Sequence, residues 1–504
     1  MHFSLPEGGR VASDVETCLR VLEEARTADP GDPRWTKVRE AAAQVYRADK
    51  KSRKAARHAD RRQRDDLASA ATERHRSQNP DSAPVESAPS SGPRPLVGTR
   101  RCYTCKSVYD LVHPVYHLLC PECAEENLAR RVARCDLRGR RALITGGRVK
   151  IGFQTALKLL RDGAEVLVTT RFPADATRRF AAVPDAGEWL DRLHVHGVDL
   201  LDLPGVAGLL KVVHERFDHL DILVNNAAQT IRRPAAYHRE VRAAESLPLD
   251  GPAARIRITG AAMTAVTATS DVAVGAPGVA NGSFGVANGS FEVGTRPAWP
   301  EAVGTARDLA AGPSRFGGSD ALLSADEIEA LFPAGLLDES GQPLDLRERN
   351  SWSLRLHEVD AAEWLEVQLV NSFAPFLLTS RLRGLLEASP HPDRYVVQVS
   401  AMEGSFSRPN KTVRHPHTNM AKAGLNMLTR TAAPDYAAAG IHMNSVDTGW
   451  CTDERPHPEK ANSRFRPPLD VIDGAARVYD PIVRGVGGQP VSGYFLKDFR
   501  PVEW

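Results

Sequence analysis

Two patterns in this 504-residue chain gather side chains able to do chemistry. The first is sulfur. Cys102-Tyr-Thr-Cys105 and Cys120-Pro-Glu-Cys123 are separated by 14 residues. Two thiolates two residues apart can grip one tetrahedral ion from a tight turn, and two such turns complete a closed four-sulfur site. Structural Zn2+ is therefore expected on Cys102, Cys105, Cys120 and Cys123. Such a site has no open position for water, so the metal would staple a module too small to bury a large core. The competing readings are unbound or disulfide-bonded cysteines, or replacement of one ligand by His113 or His117.

The second pattern is glycine. A short apolar run, Arg141–Thr145, leads into Gly146-Gly147-Arg148-Val149-Lys150-Ile151-Gly152, followed by an amphipathic stretch. A strand, a glycine turn and a helix in this order let the backbone approach a pyrophosphate and point the helix N-terminus at its negative charge.

From this point the chain resembles the short-chain dehydrogenase/reductase family. The family pattern T-G-x-x-x-G-x-G places Thr145, Gly146, Lys150 and Gly152, with Lys150 in place of a glycine. The resemblance continues in order. Asp199 falls where the family sets an Asp near the adenine, and Asn225-Asn226-Ala227-Ala228 resembles its N-N-A-G motif. Asn371 resembles the Asn of the following helix, Lys422 the active-site Lys, and Asn444 to Gly449 the strand before the substrate pocket. Thr452 sits where the family contacts the nicotinamide end. The resemblance implies a Rossmann-type, doubly wound α/β fold and a dinucleotide held by Thr145, Gly146, Lys150, Ile151, Gly152, Asp199, Asn225, Ala227, Lys422 and Thr452. It also implies a homo-oligomer. The second strand ends Thr169-Thr170-Arg171. Arg171 stands where members that bind NAD(H) usually carry a carboxylate, and a guanidinium can pair with a 2′-phosphate, which favours NADP(H).

The reaction centre departs from the family. The family's Ser-Tyr-Lys set moves a proton while hydride moves to or from nicotinamide. Counting back four residues from Lys422 gives Thr418, not Tyr. A Thr hydroxyl is far too weak an acid to replace a phenol near neutral pH. Ser400-Ala401-Met402-Glu403-Gly404 resembles the S-S-x-x-G stretch with Ala401 at the catalytic place, so Ser400 serves only if the register slips by one. Lys422, Asn371, Ser400, Thr418 and His417 are the candidate catalytic residues, with His415, Glu403, Asp447 and Cys451 nearby in sequence or on the adjoining loop. Three readings stay open. One is an NADP(H)-dependent oxidoreductase on a carbonyl or alcohol with a changed proton donor. The second is an inactive NADP(H)-binding sensor or scaffold. The third is dehydration or epimerisation with the nicotinamide fixed in place. A lid formed by residues 229–349 over the nicotinamide would favour an enzyme.

These residues need elements to position them. Arg141–Thr145, Glu165–Thr170, Leu193–Val198, Asp221–Asn225, Tyr395–Ser400 and Ile441–Val446 read as strands alternating with helices, which implies a parallel sheet covered on both faces. The expected layout is a helical, basic region over 1–76, a Pro/Ser-rich linker over 77–99, the four-Cys module over 100–134, and the dinucleotide domain over 135–504. That domain carries a Gly/Ala/Pro/Ser/Thr-rich insertion at about 229–349, which includes a tandem GVANGSF at Gly278–Phe284 and Gly285–Phe291. Within it Ser324 and Glu327 read as a capping box for a helix to Leu331.

Composition bounds the partners. Formal net charge is +2, so the whole chain names no membrane or nucleic-acid partner. Arg outnumbers Lys by 53 to 12, read as base-composition bias. Between Tyr46 and Arg76 there are 11 Lys/Arg against 5 Asp/Glu. A solvated helix is the plain reading; an RNA-binding arm is not favoured, for want of interleaved aromatics. A protein partner would meet the zinc module or this basic helix. No run is apolar enough to span a bilayer and no signal peptide opens the chain, so a soluble, cytoplasmic protein is expected.

Overall fold

A computed structural model describes residues 7–76, 92–260 and 323–504, apart from Glu339, Pro409 and Arg464. The tandem repeat and most of the expected linker lie outside the described residues. The chain divides into two compact units, residues 1–73 with 91–121, and residues 74–90 with 122–504.

In the first unit, α1 (Glu7–Thr27) is followed by α2 (Thr36–Ala70). The guanidinium of Arg39 ties them by donating to the carbonyls of Ala25, Ala28, Asp29 and Pro30. Then β1 (Arg94–Arg101) and β2 (Val108–Val112) pair antiparallel. Asp65 on α2 accepts the backbone N–H of Val97 on β1 at 2.7 Å. Two expected boundaries therefore move. The linker stops short of Thr99, because Arg94–Arg101 is a paired strand, and the helical region belongs to the same unit as the first three cysteines.

The second unit begins with α3 (Pro121–Val132), so the expected four-Cys module does not run on to residue 134 as a separate body. Arg131 is buried and binds both carboxylates of the Asp470/Asp473 capping box, at 2.6 and 2.8 Å. A buried guanidinium needs such partners to offset desolvation.

Next come β3 (Arg141–Ile144), α4 (Lys150–Arg161), β4 (Glu165–Thr170), α5 (Pro173–Ala181), β5 (Leu193–Gly197), α6 (Leu203–Arg216) and β6 (Ile222–Asn225). After these come α7 (Arg239–Glu245), β7 (Arg257–Gly260), α8 (Ala325–Leu331), α9 (Ala361–Gln368), a π-helical turn Leu369–Phe373 and α10 (Ala374–Arg381). The chain closes with β8 (Arg394–Ser400), α11 (Pro416–Ala438), β9 (Ile441–Asp447), α12 (Val471–Val486), β10 (Phe495–Lys497) and β11 (Arg500–Val502).

The sheet order is β11-β10-β9-β8-β6-β3-β4-β5-β7, parallel throughout except β11. Strands such as Ile222–Asn225 are apolar and buried on both faces, as a sheet between two helical layers requires. One layer packs Leu157, Phe180, Trp189 and Ile482 on the sheet; the other packs Leu209, Val213, Leu378 and Leu386. The order reverses between β3 and β6, which opens a crevice at their carboxyl ends. The glycine turn after β3 and the Asn225–Ala228 turn after β6 both lie there.

Part of the expected insertion is regular structure. From β6 the chain crosses to the far edge of the sheet and lays β7 beside β5, with Val195 opposite Ile258. It then returns to β8, next to β6. The expected helix after Ser324 is present, and Ser324 and Glu327 form its capping box.

Candidate active site

The glycine turn is held from below. Asn226 donates its side-chain amide to the carbonyls of Thr145 and Gly146, both at 3.0 Å, and the Thr145 hydroxyl accepts the N–H groups of Asn226 and Ala227, both at 3.0 Å. A Cβ on Gly152 would lie 2.2 Å from the Gly146 carbonyl oxygen, and one on Gly147 would lie 2.7 Å from Val168. Only glycine allows this approach of helix, turn and strand. Gly146 and Asn226 keep partial exposure and Ala228 is open to solvent, so backbone faces the crevice. This cradle fits a pyrophosphate at the N-terminus of α4.

Lys150 occupies a left-handed conformation, φ 54°, where the family places glycine. Its ammonium reaches Glu454 at 3.2 Å, and the same carboxylate oxygen accepts the Thr452 hydroxyl at 2.7 Å. Burial works against ionisation of Glu454, but the Lys150 charge and the Thr452 bond win and hold it at about 2. Lys150 and Thr452 thus meet through one anion. Ile151 packs against the core, and a Cβ at Gly474 would press on it.

The end of β4 carries Arg171, which lies 3.4 Å from Nε2 of His238. Arg148 and Arg171 both sit over the ring of Phe172, and His238 tilts against that ring at 5.2 Å. Burial and the neighbouring Arg171 and Arg148 charges push His238 down to about 2, so it stays neutral and can accept from Arg171. Asp199 shares this electrostatic environment with Arg171. His238 comes from the insertion, whose returning limb adds Gln342, an acceptor for Arg148 at 3.1 Å. The insertion therefore contributes to the surroundings of Arg171 and Arg148, a role that its sequence hides.

Asn225 is turned into the protein, donating to Thr379 at 3.1 Å and Gln398 at 3.0 Å, so its amide stitches β6 to α10 and β8. Its neighbour Asn226 performs the turn contacts. Ala227 acts through its N–H and through close packing on Gly146. Asn371 lies in the π-helical turn, and its amide brackets the backbone of Gln229, accepting at 2.6 Å and donating at 3.0 Å.

At the reaction end, the hydroxyls expected to handle protons are spent on the protein. Ser400 is buried and donates to Asn426 at 2.6 Å, and Thr418 is buried and donates to the His415 carbonyl at 2.8 Å. His417 is 1% exposed and 3.3 Å from the Glu363 carboxylate, inside the protein rather than facing the crevice. Lys422 differs. It is only half-buried, its ammonium donates to the Val399 carbonyl at 2.7 Å, and burial lowers it to about 8. Glu403 shares this electrostatic environment with Lys422, His415 and Asp447. Asp447 is buried and shifted up by that burial. Cys451 donates to the Thr448 carbonyl at 3.2 Å, and burial drives its thiol pKa up, so it is no ready nucleophile. The segment that follows the insertion closes on this end. Trp352 stacks on His415 with ring centroids 3.8 Å apart, and Asn350 donates to the Glu454 carbonyl at 3.0 Å.

Comparison with known proteins agrees with this geometry. The short chain dehydrogenase pattern matches residues 140–250, and the Enoyl-(Acyl carrier protein) reductase pattern matches residues 349–465. An uncharacterised protein of Acanthamoeba polyphaga mimivirus is 31% identical over 397 residues, covering 76% of this chain and 71% of that protein. The chain belongs to the short-chain dehydrogenase family. Other relatives match over shorter stretches. The (+)-neomenthol dehydrogenase of Capsicum annuum is 30% identical over 90 residues, 18% of this chain and 28% of that enzyme. A short chain dehydrogenase from Burkholderia cenocepacia J2315, solved in complex with NADP, is 17% identical over 72% of this chain and 97% of its own, with a TM-score of 0.40. The first family match runs to residue 250, past the point where the insertion was expected to begin.

The cysteines lie outside both family matches. Cys102, Cys105 and Cys120 fall in the first unit, and their sulfurs lie within 4.8 Å of one another. Those of Cys105 and Cys120 are 3.7 Å apart, far beyond a disulfide bond. This separation matches the edge of a tetrahedron of sulfurs about 2.3 Å from a central ion, about 3.8 Å. Lys106 takes a left-handed φ of 65° as the first turn closes. Burial pushes the Cys102 thiol up, and the peptide N–H groups of Cys120, Cys105 and Thr104 that point at its sulfur work the other way. Here the donor set fits a metal ion. His113 is buried and accepts the N–H of Val115, so it has a structural partner of its own.

Proposed function

We propose that this chain is an NADP(H)-dependent oxidoreductase that interconverts a carbonyl and an alcohol, using Lys422 where its family uses a tyrosine. The observation that carries this reading is the cover laid over the reaction end by the segment that follows the insertion, Trp352 on His415 and Asn350 on the Thr452–Glu454 loop. A scaffold has no need to shelter that end from water.

Bound NADP(H) would supply or accept the hydride. Gly146, Gly152 and the N-terminus of α4 would hold its pyrophosphate, and Arg171 its 2′-phosphate. Lys150 gives further positive charge, tempered by Glu454. Thr452 and Lys422 flank the nicotinamide end. In reduction, the Lys422 ammonium, brought into the titratable range by burial, gives its proton to the substrate's carbonyl oxygen; in oxidation the neutral amine takes the proton from the alcohol. Asn371 is a positioning residue, fixing the Gln229 turn beside the crevice. Ser400, Thr418 and His417 support the fold of this end and carry no proton. Zn2+ on the four cysteines has a structural role.

The test is NADPH oxidation by the purified protein across a panel of ketones and aldehydes, alongside NADPH binding by fluorescence. Turnover that disappears in Lys422→Ala while binding remains supports the reading. Binding with no turnover on any carbonyl supports the second reading, an inactive NADP(H) sensor, which the engaged hydroxyls of Ser400 and Thr418 favour. No binding overturns both.

A further inference from the structure

The basic stretch of α2 has an order that the sequence count conceals. The helix is unbroken over Thr36–Ala70 and anchored at both ends, by Arg39 to the α1 turn and by Asp65 to β1. Every residue between, from Ala43 to Arg64, is exposed. At 3.6 residues per turn, the 18 residues Arg47–Arg64 make five turns about 27 Å long and fill every angular position once. Ten adjacent positions around the cylinder hold nine Lys/Arg and His58. The other eight hold four alanines, Ser52, Gln63, Asp49 and Asp60. Both acids are ion-paired on the helix, Asp49 with Arg53 and Asp60 with Arg64. The segment carries seven positive charges net, all on one half of its surface.

A solvated helix would mix signs around its circumference. Here Lys50 and Lys54, Arg53 and Arg57, and Arg57 and Arg61 repel at i,i+4 spacing. A partner that neutralises them relieves this. Its chemistry follows from what the face lacks. Between Tyr46 and Leu67 the largest apolar side chain is alanine. Insertion into a bilayer needs an apolar face, so lipid could hold this helix only loosely, by headgroup charge, and a protein groove needs apolar anchors. Single strands are held by aromatic stacking, which this face cannot supply. A phosphate backbone asks only for charge, which acts by counterion release. A straight helix about 10–12 Å across also fits the major groove of B-form DNA, about 12 Å wide. We propose that the cationic half of α2 binds the backbone of double-stranded DNA, independently of sequence.

The test is fluorescence anisotropy of the full-length protein with a fluorescein-labelled 24-base-pair DNA duplex, over 50–200 mM NaCl. We expect saturable binding at 50 mM that weakens steeply with salt. Replacing Lys50, Lys51 and Lys54 by Gln, each a good helix former, should lower the log–log salt slope by about 2.7, or 0.9 per lost contact. Ala55→Gln with Ala59→Gln, on the neutral half, should change nothing. Circular dichroism checks that the helix persists in each variant. Absence of binding at 50 mM, an unchanged slope in the triple variant, or equal affinity for polyglutamate or single-stranded RNA overturns the proposal.

Discussion

The cofactor cradle and the reaction centre lie on the same sheet edge, yet they are built by different rules. In the cradle, the closest approaches are made by backbone and by the absence of a side chain, Gly152 against Gly146 and Gly147 against Val168, and the side chains of Thr145 and Asn226 hold that backbone from below. In the reaction centre, the contacts are side chain to side chain or side chain to carbonyl, and each hydroxyl has found a partner inside the protein. Where backbone approaches this closely only glycine fits, so Gly146 and Gly152 keep their places, while Lys150 takes the position between them in a left-handed conformation. A side-chain site can be rewired one residue at a time while the scaffold stays intact.

The first way to break this comparison is Gly152→Ala. With 2.2 Å between its Cβ and the Gly146 oxygen, and backbone rather than a flexible side chain in the way, the turn must open. NADPH affinity should fall at least 100-fold, with a loss of thermal stability, both read by titration and melting. Lys422→Ala should cut turnover about 100- to 10,000-fold, the usual range for a proton-transferring group, with NADPH affinity changed far less. The pH profile sharpens this. Lys422 donates only as ammonium, and burial puts it at about 8. Reduction should be flat below that pH and fall as pH rises through it; a profile flat to pH 10 would remove Lys422 from the role.

Arg171→Ala tests the adenosine end. Losing a charge-assisted bond to the 2′-phosphate costs about 1.5–3 kcal/mol, about 10- to 150-fold in NADPH affinity, with NADH affinity unchanged. Equal losses for both cofactors would mean that Arg171 only stacks on adenine. The smallest effect is expected of Thr418→Ala. Its hydroxyl is committed to the His415 carbonyl, so turnover should stay within about threefold and stability should fall by about 1 kcal/mol.

Much of the sheet was legible because parallel strands are continuous apolar runs bounded by polar turns. Glu165–Thr170 has the expected limits, and Leu193 and Ile441 begin their strands as expected. The cradle was legible because glycine has few reasons to cluster between a strand and a helix. What escaped was long-range. Asn225 and Asn226 are chemically identical neighbours, and only the fold decides which one faces the turn. Arg257–Gly260 has one isoleucine and a glycine, too weak a run to mark a strand, and it forms because β5 offers a free edge. His238 carries no motif, since its place beside Arg171 is set by the path of the insertion over the sheet. The linker limit failed for a related reason: Arg94–Arg101, with Pro95 and Gly98 in it, reads as loop until β2 pairs with it.

The central claim is that an intact cradle serves a rewired reaction centre. The most direct measurement is single-turnover hydride transfer from bound NADPH to a carbonyl, followed at 340 nm in the wild type and in Lys422→Ala. The account predicts saturable NADPH binding in both proteins and transfer in the wild type alone. Binding in both with transfer in neither, or transfer at equal rates in both, would contradict it.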